Sequence, residues 1–167
     1  MISVNLSARQ LQCPDLARIV EDALQETGLE ACSLVLDITE TVYVRALEGN
    51  IATLDELKGL GVHLSIDDFG VGYSSLSYLN RLPADDLKLD RSFLAGIGEN
   101  TKDTAIVGTV VGLAYTLGMK VIAEGVESGD QAEQLKEVGC DLAQGYHFAK
   151  PLPMPALLEY FRGCHSG

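Results

Sequence analysis

The stretch Ser65-Ile66-Asp67-Asp68-Phe69-Gly70-Val71-Gly72-Tyr73-Ser74-Ser75 decides how the rest of the chain is read. An apolar run, Val62-His63-Leu64-Ser65-Ile66, ends on two adjacent carboxylates and then breaks into a loop with two glycines and several hydroxyls, the pattern of a strand that delivers acids to a loop. Adjacent acids at a strand exit repel one another and are costly to bury, so they are either solvated or held by a cation. Taken alone, Asp-Asp-x-Gly is equally well an Asx turn with a solvated partner. The flanking sequence separates the two readings.

On both sides the same phrase recurs. Ser3-Val4-Asn5-Leu6 reads as a strand, followed by a helix from Pro14 to Thr27 with Leu16, Ile19, Val20, Ala23 and Leu24 on one face and Gly28 at its stop. Leu34-Val35-Leu36-Asp37-Ile38 is an apolar strand with one acid near its end, and a helix with Ile51, Leu54 and Leu57 inward leads through Gly61 into the central strand. Beyond the glycine loop a short helix is expected around Leu76 to Leu79, then an alternating strand, Asp86-Leu87-Lys88-Leu89-Asp90. A long helix from about Asp103 to Leu117, the strand Lys120-Val121-Ile122-Ala123-Glu124, and a helix opened by the capping-box pair Ser128 and Gln131 follow. A strand near Leu142 to Tyr146 and a helix opened by Pro155 close the chain.

Strand, helix, glycine, strand, repeated about six times, is the grammar of a parallel α/β sheet. Side-chain parity puts Val62, Leu64 and Ile66 on one face and Asp67 on the other; Lys88 and Asn5 likewise lie opposite their apolar neighbours. The near-continuous strands at Asp37 and Glu124 leave their facing open, but five strands end in Asn5, Asp37, Asp67, Lys88 and Glu124, and a sixth carries Gln144. An open doubly wound sheet gathers its ligand at one switch point, whereas a TIM-like (β/α)8-type barrel brings every C-terminal strand end to one rim. The barrel is the expected fold, with Lys88 and the acids as either a metal and proton-transfer site or a structural ion-pair network.

Composition limits the function. The chain has 167 residues and 47% hydrophobic content, enough for one domain spanning 1–167. No apolar run suits a membrane helix and the first residues lack a signal-peptide pattern, so a cytoplasmic location is expected. Cys13, Cys32, Cys140 and Cys164 have no metal or redox spacing and are expected as reduced thiols. A net charge of −12 opposes binding to a nucleic-acid polymer, while a small phosphorylated ligand is compatible with it if bound metal reverses the local field. His63, His147 and His165 have no ligand spacing; His63 is expected to line the barrel interior.

Six motifs now carry a resemblance. Val-Asn5-Leu-Ser-Ala-Arg-Gln-Leu, Asp37-Ile-Thr-Glu40, Asp67-Asp-Phe-Gly-Val-Gly-Tyr-Ser-Ser, Leu-Lys88-Leu-Asp-Arg-Ser-Phe, Ala-Glu124-Gly-Val-Glu127 and Gln144-Gly-Tyr, in that order, resemble the EAL-domain cyclic di-GMP phosphodiesterases of bacterial signal transduction. The resemblance implies a hydrolase that cleaves cyclic di-GMP to pGpG with two divalent ions, magnesium or manganese. It places Asn5, Asp37, Asp67, Asp68 and Glu124 at or beside the metals, and Lys88 near the attacking water. Asp67, Asp68 and Glu127 count with Lys88 as catalytic positions, Gln144 supports the substrate pocket, and Glu40 steadies the loop after Asp68.

Two departures accompany it. The Glu-Ala-Leu strand that names the family does not occur in this chain, and about six of eight strands are legible, so a partial domain lacking its first two strands, with an open flank, is expected. By itself such a chain is expected to be weakly active or inactive. Asp37 stands where the family usually has glutamate, which draws that carboxylate back by about a bond length where metal distances are held within roughly 0.2 Å; Val71 replaces a common threonine. A homodimer or an upstream regulatory domain would fit the family. The alternatives are a degenerate module that binds cyclic di-GMP or a partner without turnover, and an aldolase-type barrel using Lys88 as a Schiff base, which the surrounding acids oppose by raising a lysine pKa.

Overall fold

The computed structural model describes residues 1–49, 51–72 and 83–164. Six strands, β1 (Ile2–Asn5), β2 (Leu34–Thr39), β3 (His63–Phe69), β4 (Asp86–Leu89), β5 (Lys120–Glu124) and β6 (Leu142–Gln144), form one sheet in chain order. Every neighbouring pair is parallel, and the sheet curls into a half-barrel. Helices at Leu16–Thr27, Glu40–Gly49, Ile51–Gly59, Thr101–Thr116, Gly129–Glu137 and Met154–Cys164 supply the connections and the C-terminal end. The helix expected around Leu76 to Leu79 lies outside the described residues.

The alternation seen in sequence becomes two chemically distinct faces. Leu36, Ile38, Leu64, Ile66, Leu87, Leu89, Val121 and Ala123 join Leu54, Leu57, Val107, Val111, Ala114 and Leu135 of the helices in one buried core. The register places Asp37, Ser65, Asp86 and Lys120 side by side in one row across β2 to β5, facing away from that core by the two-residue period of a strand. Val35 shows the division: it is buried but stands outside the core cluster.

Three features depart from the expectations. β3 does not stop at Ile66 but continues to Phe69, because its pairing with β4 shifts register between Ile66 and Phe69, and such a bulge accommodates an additional residue without ending the strand. A short helix, Ala8–Leu11, precedes the first long one, which begins at Leu16 rather than Pro14; Ser7 and Gln10 form a capping box that starts it. A helix also occupies Glu40–Gly49, directly after β2.

The strand entrances are tied by two carboxylates that the motifs did not signal. Asp85 Oδ2 accepts the Leu64 N–H at 2.9 Å, the Asp85 N–H donates to the Leu64 carbonyl, and the Lys58 ammonium lies 2.6 Å from Asp85 Oδ1. Asp141 Oδ2 accepts the Val121 N–H at 2.9 Å in the same way, two strands along. Each acid precedes one strand and satisfies the entrance of the strand before it, which fixes the parallel register at the end far from the acidic rim.

At the two edges the apolar pattern is left uncovered among the described residues. Ile2 and Val4 of β1 are 55% and 46% exposed and Leu142 of β6 is 54% exposed, an arrangement of unpaired strand edges that invites another segment or chain.

Asp85→Ala is expected to lower stability by about 1–3 kcal/mol, since it leaves the Leu64 N–H without its acceptor. Lys58→Ala should lower it by less than about 1 kcal/mol, because that ion pair is partly solvated. Urea unfolding of both variants checks the ranking, and equal losses would contradict it.

Candidate functional site

At the C-terminal strand ends the acids foreseen from the motifs meet around a single ammonium. Lys88 Nζ lies 2.7 Å from Asp37 Oδ2, 3.2 Å from Glu124 Oε1 and 4.0 Å from Asp67 Oδ1. These groups come from β4, β2, β5 and β3 in turn, so no local segment could have assembled them. Gln144 of β6 donates from Nε2 to Glu124 Oε1 at 2.7 Å and faces it in register. Asn5 sits on β1 in register with Asp37, and its side chain is exposed at that edge.

The end of β3 is held in an unusual conformation. Asp68 is the one described non-glycine residue with a left-handed backbone, φ +54°, a geometry that needs support from its surroundings. Its N–H donates to Asp67 Oδ1 at 3.1 Å, and Glu40 Oε2 accepts the Gly70 N–H at 3.0 Å. Glu40 is buried at the start of the helix that follows β2; it anchors Gly70, immediately past the acid-bearing end of β3.

Charge in this cluster is unbalanced. Asp37 and Lys88 are both buried, and three carboxylates face one ammonium. Burial pushes the Asp67 carboxyl above its ordinary range against the lowering pull of Lys88, with Asp68 and Asp37 adding to the rise. Glu124 is raised by burial in the same way, again opposed by Lys88. For Lys88, burial pulls the ammonium down, but the hydrogen bond and charge of Asp37, with Glu124 and Asp67, outweigh it and leave the pKa raised. Lys88 is held charged, and negative charge remains in excess.

The residues suit a divalent ion by two criteria. Asp37 Oδ1 is buried and has no hydrogen-bond partner, an acceptor whose desolvation needs compensation. The donors gathered here are carboxylates and an amide, the hard oxygen set preferred by magnesium and manganese. Among the described residues no three acidic, histidine or cysteine side chains are already placed to hold one ion, and Asp37, Asp67 and Glu124 face the Lys88 ammonium.

Beside this centre opens a cleft of about 740 Å³, walled by Glu124, Glu127, Gln144, Asp90, Arg91, Tyr146 and Lys150. Glu127 is exposed on that wall; its N–H is taken by Gln131 Oε1 at 2.9 Å. Arg91, Tyr146 and Lys150 were not singled out from sequence. Lys150 Nζ stands 5.8 Å from the centre of the Tyr146 ring, a pairing that spacing alone does not reveal because both residues lie after the last strand. Among the described residues Cys13, Cys32 and Cys140 are free thiols, and no helix is long and apolar enough to cross a membrane.

A parallel β/α sheet with barrel curvature and an acid-ringed lysine at its strand ends defines a barrel-type protein with a hard-oxygen centre. Matching the family over residues 1–151, the chain belongs to the EAL domain family. It is 46% identical over 161 residues to NbdA, a cyclic di-GMP phosphodiesterase of Pseudomonas aeruginosa, a match covering 96% of this chain and 21% of NbdA. The solved phosphodiesterase of MucR, in complex with c-di-GMP, superposes with a TM-score of 0.86 at 44% identity, over 93% of this chain and 63% of that one. BlrP1 of Klebsiella pneumoniae, in a manganese and cy-diGMP complex, gives a TM-score of 0.80 at 34% identity, over 86% of this chain and 37% of that one. The chain spans roughly a fifth of the length of NbdA and of full-length MucR.

Removing Lys88 while keeping its acids should be severe. Lys88→Met is expected to lower the stability of the metal-free protein by roughly 3–5 kcal/mol, and pairing it with Asp37→Leu should recover much of that loss; thermal unfolding in a chelator measures both. A second expectation concerns Asp86, whose carboxyl burial pushes above its ordinary range, against the lowering pull of His63 and then Lys120, with Asp85 and Asp141 adding to the rise. Because the folded pKa exceeds the unfolded one, the stability it contributes is present in acid and is lost as pH rises through the folded value. Asp86→Asn should therefore stabilise the protein near neutral pH and flatten its acid-side dependence, read from unfolding midpoints at pH 4 to 7.

Proposed function

We propose that this chain is the catalytic part of a metal-dependent phosphodiesterase that hydrolyses cyclic di-GMP to pGpG in the cytoplasm. One observation carries the proposal: Asp37, Asp67 and Glu124 converge from three strands on Lys88 with negative charge to spare. The similarity to NbdA and to the MucR complex supports the choice of substrate.

In this reading Asn5, Asp37, Asp67, Asp68 and Glu124 hold two divalent ions, magnesium or manganese. When bound, such ions neutralise the phosphate and make a bound water acidic enough to serve as nucleophile near neutral pH. Hydrolysis forms one bond from water oxygen to phosphorus, breaks one bond from phosphorus to the 3′ oxygen, and ends with a proton on that leaving oxygen. Lys88, kept charged by its acids, donates hydrogen bonds from Nζ beside the attacked phosphate and orients the water. Gln144 fixes the rotamer of Glu124, Glu40 fixes the loop that bears Asp67 and Asp68, and Glu127 lines the cleft that receives the dinucleotide. A regulatory domain or a second copy acting on this barrel would be consistent with its role in signalling.

Asp37 favours one further reading. Its short side chain is already engaged by Lys88 at 2.7 Å, which would suit a module that binds the dinucleotide without cleaving it. Incubation of the purified protein with cyclic di-GMP and manganese distinguishes the two. The proposal expects pGpG, abolished by chelation and reduced at least about 100-fold by Asp67→Ala or Lys88→Ala. Metal-independent binding with no pGpG would assign the non-catalytic role, and neither binding nor cleavage would defeat both.

A further inference from the structure

The turn Arg91–Leu94 follows Lys88 by only two residues and touches the loops on both sides of β4. Its shape is set by Asp90, whose Oδ1 accepts the Ser92 N–H at 2.9 Å and whose carbonyl accepts the Phe93 N–H at 3.1 Å. On one side the Phe93 ring occupies the space where a Cβ on Gly70 would stand. On the other, a Cβ on Gly125 would come within 2.6 Å of Arg91 Cβ. Both glycines have left-handed backbones, φ +90° and φ +73°. Gly70 follows the Asp67-Asp68 pair, and Gly125 follows Glu124 directly.

Phe93 itself is partly buried and packed against the core, and the far end of the turn is tied down as well. Gln131 Nε2 donates to the Leu94 carbonyl at 3.1 Å, while Gln131 Oε1 takes the Glu127 N–H. The turn thus bridges the acid-bearing loops of β3 and β5 and is continuous with the strand that bears the lysine between them.

From this we infer that Phe93 is a positioning residue for the site: its ring seats Gly70, and so places Asp67 and Asp68 relative to Lys88. The inference rests on the functional reading only in treating Asp67 and Asp68 as ligand-bearing. Left-handed Asp68 would relax to an ordinary backbone without lateral support. Glu40 supplies that support from one side and the Phe93 ring from the other. The ring meets Gly70 with its outer edge, Cζ and Cε2, a reach and shape that an aliphatic side chain does not reproduce. Arg91 performs the same service at Gly125 through its stem, so the spacing of Asp67 and Glu124 about Lys88 is set by one four-residue wedge.

The test compares Phe93→Leu and Phe93→Met with the wild type in the complete protein, by amide hydrogen exchange and by Mn²⁺ binding followed through electron paramagnetic resonance. Exchange at Gly70 and Val71 is expected to quicken about tenfold in both variants, with β2 and β5 amides unchanged. Mn²⁺ should bind about 10-fold more weakly to both variants. Wild-type exchange at Gly70 in both aliphatic variants would overturn the inference and reduce Phe93 to apolar filling. Failure of the wild-type protein to take up Mn²⁺ would count against the metal-dependent reading alone, because the exchange at Gly70 still decides the part played by Phe93.

Discussion

A buried ammonium surrounded by more negative charge than it can cancel is the constraint around which this sheet is arranged. Lys88 can be buried only because Asp37 meets it at 2.7 Å and Glu124 at 3.2 Å, and Asp37 can be buried, with Glu124 half-buried, only because Lys88 is there. Neither partner is local to the other: Asp37 and Lys88 are 51 residues apart in sequence. The parallel register therefore has to be right before the charges can be accommodated. Asp85 and Asp141 secure that register from the opposite ends of the strands, where their carboxylates accept the Leu64 and Val121 N–H groups.

Stability and chemistry are divided between the two faces of each strand. The face bearing Leu64, Ile66, Leu87 and Leu89 is fully buried and supplies apolar burial, worth roughly 1.5–3 kcal/mol per large side chain. The other face carries Asp37, Ser65, Asp86 and Lys88, where each polar group is a liability unless it is paired. Two of these, Asp37 Oδ1 and Ser65 Oγ, remain buried without a partner. The apolar face can absorb that penalty, and the result is a rim with unmatched acceptors rather than a sealed core.

Much of this was legible in the letters. A period of two across Val62 to Asp67 and Asp86 to Lys88 placed Asp67 and Lys88 on the face away from the core, and the repeated strand, helix, glycine pattern placed their strand ends together. The family motifs named Glu40 and Gln144, and their contacts with Gly70 and Glu124 are as local as one strand to the next. Other features could not be read because their causes are remote. The Asp85 carboxylate and the Leu64 N–H are separated by 21 residues, and a lone Asp before a strand looks like turn chemistry. β3 runs past Ile66 because of how it pairs with β4, a tertiary fact with no local signature. Helix Glu40–Gly49 opens with Thr41 and Val42, which individually favour strands, so its first turn is decided by packing and not by propensity.

The placement of Asp37 shows how one methylene can shift the balance within such a rim. With a carboxylate this short, Oδ2 is committed to Lys88 and Oδ1 is left without a donor, so the side chain spans from the ammonium toward whatever cation the rim accepts. A longer acid at the same register could reach farther from the lysine and engage it less tightly. In the proposed metal-dependent reading, Lys88 and a bound cation would share that short side chain through its two oxygens. In that reading, in a site whose acids already exceed its fixed positive charge, the Asp37 to Lys88 contact would be the point at which ion uptake and the stability of the metal-free fold are coupled.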